Sequence, residues 1–192
     1  MTFLNIYTDG ACSGNQSDEN VGGYGAILEF GKHRKEIFGG EQNTTNNRME
    51  MTALIKAFEA IKKEKQLIKV FSDSSYLVNC FKEKWYENWK QNGWKTAGKK
   101  PVENQDLWEE LLPYLEKHQI QFYRVKGHIN LNSKNLNIDA LFNDFVESNG
   151  NSFSVEDFKY IVEMNNLADA LANRGIEVAR GTEAITGNNG KN

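Results

Sequence analysis

The sequence predicts an α/β fold on a mixed sheet. Three observations carry that expectation: short apolar runs at the amino end separated by glycine turns, a long helical stripe after them, and then strand-like runs alternating with helical stretches. A meander followed by strand–helix–strand units places both antiparallel and parallel neighbours in one sheet.

Residues 3–8 (FLNIYT) are aromatic and β-branched and stop at Asp9-Gly10, the punctuation of a strand entering a turn. Further strands are expected at residues 24–30 and 35–38, preceded by Gly22-Gly23 and divided by Gly31-Lys32. A helix is expected from about residue 48 to 63, because Glu50, Leu54, Ala57, Phe58 and Ile61 fall on one helical face. Residues 67–72 (LIKVFS) read as a strand ending at Asp73, after which Ser74-Ser75 opens a helical pattern through Tyr76, Leu77, Cys80 and Phe81. A helix near residues 105–117 and a strand at 120–125 complete the series.

The chain has 192 residues, 39% apolar and 26% charged, which suits one soluble domain with its own core. Its formal net charge of −3 gives no global attraction to nucleic acid, so any such binding must rest on local patches. With no basic leader and no apolar run approaching the roughly 20 residues of a membrane span, a cytoplasmic location without membrane attachment is expected. Cys12 and Cys80 lack metal-ligand spacing and are expected as core or near-core thiols.

Three acids stand out. Asp9 and Asp73 each follow an apolar run, at the carboxyl ends of strands, where ligands gather in sheets with helix crossovers. Glu50 shares the buried stripe of its helix, and a core-facing carboxylate is costly unless paired or bound to a cation. Each also has an ordinary explanation: a turn for Asp9, a helix-dipole charge for Glu50 and an N-cap for Asp73. Taken together they read as a cation site.

In this order of elements stand Y-T-D-G-A-C-S-G-N at residues 7–15, T-T-N-N-R-M-E at 44–50, S-D-S at 72–74, V-K-G-H at 125–128 and N-N-L-A-D-A-L-A at 165–172. These motifs resemble type 1 ribonuclease H in its bacterial cytoplasmic form, over about residues 3–128 and 165–174. The resemblance implies a five-stranded mixed sheet flanked by helices, with Asp9, Glu50, Asp73 and Asp169 as metal-binding catalytic acids and His128 assisting proton transfer and product departure. It implies hydrolysis of the RNA strand of RNA·DNA hybrids, leaving a 5′-phosphate and a 3′-hydroxyl. Two Mg²⁺ ions, about 4 Å apart, suit such an in-line displacement, with Mn²⁺ as an alternative ion. In the family arrangement Asp9 bridges the ions, Asp169 joins it at the ion that activates water, and Glu50 and Asp73 hold the other.

Residues 90–100 (KQNGWKTAGKK) hold four lysines and no acid, with Trp85, Trp89 and Trp94 within or just before them. Lysines attract phosphates and indoles stack on sugars or bases, although Trp85 and Trp89 are one helical turn apart and could pack inward. By the resemblance, residues 85–104 form a basic protrusion that grips the DNA strand, through Trp85, Lys90, Trp94, Lys95, Lys99 and Lys100. Asn15, Thr45, Asn46, Asn47 and Asn104 match family positions that touch the minor groove or a DNA phosphate. Asn43 departs from the family where an arginine is common, and the loop 16–21 is longer and more acidic.

The largest departure is residues 129–164, too long for a structureless connection. Ile138, Leu141, Phe142 and Phe145 mark one amphipathic helix, and Ser154 with Asp157 a capping-box start to another containing Phe158, Ile161 and Val162. A helical hairpin inserted beside the active site is expected, either packed on the body or acting as a lid. Residues 1–175 are thus expected to form a single catalytic domain, monomeric, with a flexible tail at 176–192. Two other classes compete: a non-catalytic binder of hybrid duplexes, which a lost carboxylate would produce, and a transposase-like nuclease, which would lack the T-T-N-N-R-M-E run.

Overall fold

The structure is a computed structural model in which residues 2–14 and 20–181 are described. The elements run β1 (Leu4–Ser13), β2 (Val21–Phe30), β3 (His33–Gln42), α1 (Asn46–Glu59), β4 (Leu67–Ser72), α2 (Ser75–Lys82), α3 (Trp85–Gln91), α4 (Gln105–Lys117), β5 (Gln119–Arg124), α5 (Ile138–Asn149) and α6 (Val155–Ala179). One five-stranded sheet has the order β3-β2-β1-β4-β5, antiparallel on the β3 side and parallel on the β5 side, as the mixed-sheet expectation required.

Side chains alternate across this sheet because the strand period is two. Ile6, Ala26, Leu28 and Val70 enter one core with α1, α2 and α4. Tyr7, Ile27 and Phe71 enter a second core with α5 and α6. Edge strand β3 opens with His33, Arg34, Lys35 and Glu36, all exposed, a charged rim that discourages pairing with another chain.

Two boundaries differ from the sequence reading in ways that matter. β1 does not stop at Asp9 but continues to Ser13, because β2 remains paired with it through Ser13↔Val21 after parallel β4 has ended opposite Thr8. The helix carrying Asp169 is not a separate element after the expected hairpin: α6 is 25 residues long and includes the capping-box segment, so the second helix of the hairpin and the motif helix are one. Ser154 Oγ accepts from Asp157 N at 3.0 Å while Asp157 Oδ2 accepts from Ser154 N at 2.8 Å, and nothing interrupts the helix from there to Ala179. The expected tail therefore starts too early, since residues 176–179 are helical and Ile176 is buried; its remainder from 182 lies outside the described residues.

The 129–164 segment packs on the body. Tyr7, Phe71 and Tyr123 stack side by side across β1, β4 and β5 with centroids 5.1 and 5.2 Å apart. Phe153, between α5 and α6, meets Tyr123 edge-on at 5.0 Å, and Phe145 lies 5.1 Å from Phe158. Without this segment an aromatic sheet face would lie open to water. Truncating Phe158, which is 1% exposed, to alanine is therefore expected to cost about 3–5 kcal/mol in urea denaturation. Deleting residues 129–164 is expected to abolish cooperative unfolding.

Candidate active site

The acids meet where β1 outruns β4. Thr8↔Ser72 is the last parallel pair, so Asp9 and Asp73 emerge side by side at the point where one neighbour of β1 is lost. Glu50 reaches them because Gly10 has no side chain: a Cβ there would stand 2.3 Å from Glu50 N and 2.6 Å from the Met49 carbonyl carbon. Thr45 caps α1 by accepting from Arg48 N at 3.2 Å, which puts Glu50 in the second turn on the sheet-facing side. Carboxylate oxygens of Asp9, Glu50 and Asp73 lie within 4.8 Å of one another.

Asp169 comes from the opposite layer. α6 lies backbone against backbone on β2, since a Cβ on Gly23 would sit 1.9 Å from Ala172 O and one on Gly25 2.4 Å from Ala168 O. Any larger residue would lift the helix and Asp169 with it. His128 is exposed, in the left-handed region at φ 56°, and its Nδ1 is 4.0 Å from Asp169 Oδ2. Gly127 beside it rests on Asp73, whose Oδ2 would be 2.3 Å from an added Cβ.

Burial first, then the charge of Asp73, pushes Asp9 up to about 8. Burial likewise raises Glu50 well above the ordinary carboxylate range, with the Asp9 charge next, and burial raises Asp73. Glu50 Oε2 is buried and has no hydrogen-bond partner among the described residues. Clustered hard oxygen donors with an unpartnered lone pair fit a divalent cation such as Mg²⁺ or Mn²⁺, which relieves both desolvation and repulsion.

A cavity of about 500 Å³ opens over the acids, lined also by Cys12, Asn46, Asn47, Tyr76, His128 and Asn173. All four sequence-expected acids and the histidine line it together. Among the other candidates, Asn46 and Asn47 are in this cavity, whereas Asn15 lies outside the described residues. Thr45 and Asn104 converge through Arg48, whose Nη1 donates to Asn104 Oδ1 at 3.3 Å while its guanidinium pairs with Asp106 at 2.8 Å. Trp85 and Trp94 are half-buried and pack against the first core, with Trp89 joining Trp94 at 6.3 Å to Trp108 at 5.7 Å. Lys90, Lys95, Lys99 and Lys100 remain exposed, the last three on a loop closed by Thr96 N donating to Lys100 O and Val102 N to Trp94 O. Sequence reasoning passed over Arg48 and Asn173; Asn173 follows Asp169 by one helical turn, and that spacing is the signal that could have found it.

A mixed sheet that gathers two buried acids and one half-buried acid at its strand switch, open to a polar cleft, defines a candidate divalent-cation site. Comparison with known proteins gives the family. A family profile described as RNase H matches residues 2–147. The chain is 46% identical over 147 residues to a ribonuclease H of Clostridium botulinum, covering 77% of this chain and 97% of that one. It is 54% identical over 125 residues to a ribonuclease H of Chlorobaculum parvum, covering 65% and 83%. Among solved structures, LC9-RNase H1, a type 1 RNase H with the type 2 active-site motif, is similar at TM-score 0.68 and 25% identity over 93% of this chain and 74% of that one. The chain belongs to the ribonuclease H family. The profile match ends before α6 and takes in Asp139, which begins the same Asp-Ala-Leu tripeptide as Asp169. Asp139 is exposed in the first turn of α5 and does not line the cavity, whereas Asp169 does.

With the folded value of Asp9 near 8 against an ordinary 3.8, the native state binds more protons than the unfolded chain between those limits. Cation-free protein therefore loses stability as pH rises through that window. In chelator, Asp9→Asn is expected to remove about 1–3 kcal/mol of the stability lost between about pH 5 and about pH 8. Urea denaturation reads the difference, and Mg²⁺ is expected to stabilise the unsubstituted chain more than the variant.

Proposed function

We propose that this chain hydrolyses the RNA strand of RNA·DNA hybrids through its acidic cluster, leaving 5′-phosphate and 3′-hydroxyl ends. The observation that carries the proposal is the set of three clustered, mutually repelling carboxylates, Asp9 and Glu50 buried and Asp73 half-buried, one with an oxygen unpartnered among the described residues, on a ribonuclease H sheet. Asp9, Glu50, Asp73 and Asp169 would hold Mg²⁺, which when bound supplies charge neutralisation at the scissile phosphate and acidifies the attacking water. Mg²⁺ as the ion, a monomer as the working form and the cytoplasm as its location belong to the same reading.

The residues then divide the work by position. Asp9, which interacts with Asp73, Glu50 and Asp169, would serve both sides of the cluster, Asp169 would join it in activating water, and Glu50 and Asp73 would help stabilise the leaving oxygen. His128 is exposed at the mouth beside Asp169, where an imidazole can carry a proton outward with the product. Asn46 and Asn47 offer amides to the groove edge, where a 2′-hydroxyl distinguishes RNA from DNA. Thr45 and Asn104, gathered around Arg48, suit a DNA phosphate. The exposed lysines extend that grip as a patch of positive charge on an acidic chain.

Labelled RNA·DNA hybrid, RNA·RNA and DNA·DNA incubated with Mg²⁺ are expected to give cleavage of the hybrid alone. Asp73→Asn is expected to lower kcat roughly 100-fold or more, the loss of several kcal/mol of charge stabilisation; equal cleavage by the variant would refute the assignment. Replacing Lys95, Lys99 and Lys100 together by alanine is expected to raise KM while leaving kcat nearly unchanged. The slope of log affinity against log salt should shrink by about 0.7–0.9 for each phosphate that a lysine no longer neutralises.

A further inference from the structure

His128 sits in the left-handed region at φ 56° and is exposed, in the loop after β5. A non-glycine residue persists in such a conformation when its surroundings over-determine it. Here the backbone is held on both sides. Upstream, Asn149 at the end of α5 accepts from Arg124 N at 2.9 Å and donates to Arg124 O at 2.8 Å. Its amide thus occupies the free edge of β5 as a neighbouring strand would. Lys82 of α2 fixes it in turn, donating to Asn149 Oδ1 at 3.3 Å and to Ser148 O at 3.2 Å.

Downstream, Asn166 Nδ2 donates at 2.8 Å to the carbonyl of Ile129, the buried residue after His128. Asn166 lies on α6 one turn before Asp169, so the helix that carries the acid also grips the peptide next to the histidine. We propose that Asn149 and Asn166 are positioning residues that brace the backbone around His128 and so set its imidazole beside Asp169. The proposal rests on the reading of His128 given above. It gives the long 129–164 arm a role in turnover as well as in packing.

The test is a cycle with two readouts. Asn166→Ala and Asn149→Ala are made in the full chain and in His128→Ala, and kcat on a labelled hybrid is measured beside amide hydrogen exchange. Exchange at residues 127–129 is expected to quicken in each asparagine variant. kcat is expected to fall about fivefold, the factor one buried hydrogen bond is worth, with KM unchanged; no further fall is expected in His128→Ala, and Asn166→Gln should restore part of the loss. An equal fall with and without His128 would show a merely structural role and overturn the proposal, as would unchanged exchange. A His128→Ala enzyme of undiminished turnover would overturn the reading of His128 and the proposal with it, and it differs from a failed brace because exchange would still respond.

Discussion

Repulsion among clustered carboxylates, two of them buried and one half-buried, is the constraint on which this structure turns. Asp9, Glu50 and Asp73 would separate if they could, and the surrounding backbone prevents it. Gly10 removes the space between β1 and α1, Gly127 removes it beside Asp73, and Gly23 and Gly25 do so under α6. The nearest atom is backbone at Gly10, Gly23 and Gly25 and the Asp73 carboxylate itself at Gly127, so the acids are held close chiefly by main chain. Crowding of this kind raises the energy of the cation-free state and makes binding a divalent ion its relief.

The parts of the site most legible in the sequence were those with local signatures. Glu50 declared itself through the helical stripe it shares with Leu54 and Phe58, because a carboxylate on a buried face demands a reason. Asp9 and Asp73 were legible from strand punctuation, even though β1 runs on past Asp9. Strand length depends on which neighbours persist, and pairing with β2 is invisible in the residues of β1 alone. Asp169 was legible only from its motif, since spacing from His128 gives no guide across a long arm. The amphipathic pattern and capping box revealed both helices of that arm, but not that the second continues unbroken into the motif. No glycine or proline interrupts residues 155–174, and that lack of punctuation was the available clue.

The tryptophans illustrate why side-chain chemistry alone leaves a choice open. Trp85, Trp89 and Trp94 suit stacking on nucleic acid and suit a core equally well. In the fold they run outward from buried Trp108 as a ladder, half-buried, which stiffens the base of the lysine loop. Lysine placement was simpler to read, because a charged run without acids has little alternative to the surface.

α6 joins two duties on one rigid rod. Its first turns fill the aromatic core through Phe158, Ile161 and Val162, and its later turns deliver Asp169. A helix advances about 100° for each residue, so the angular phase between Phe158 and Asp169 is locked by counting. Inserting or removing one residue between them would swing the acid about 100° away from the cleft while the core anchor stayed in place. The stretch between His128 and α5 is not helical and has no such phase to keep, whereas the interval from Phe158 to Asp169 can change only by amounts close to whole turns.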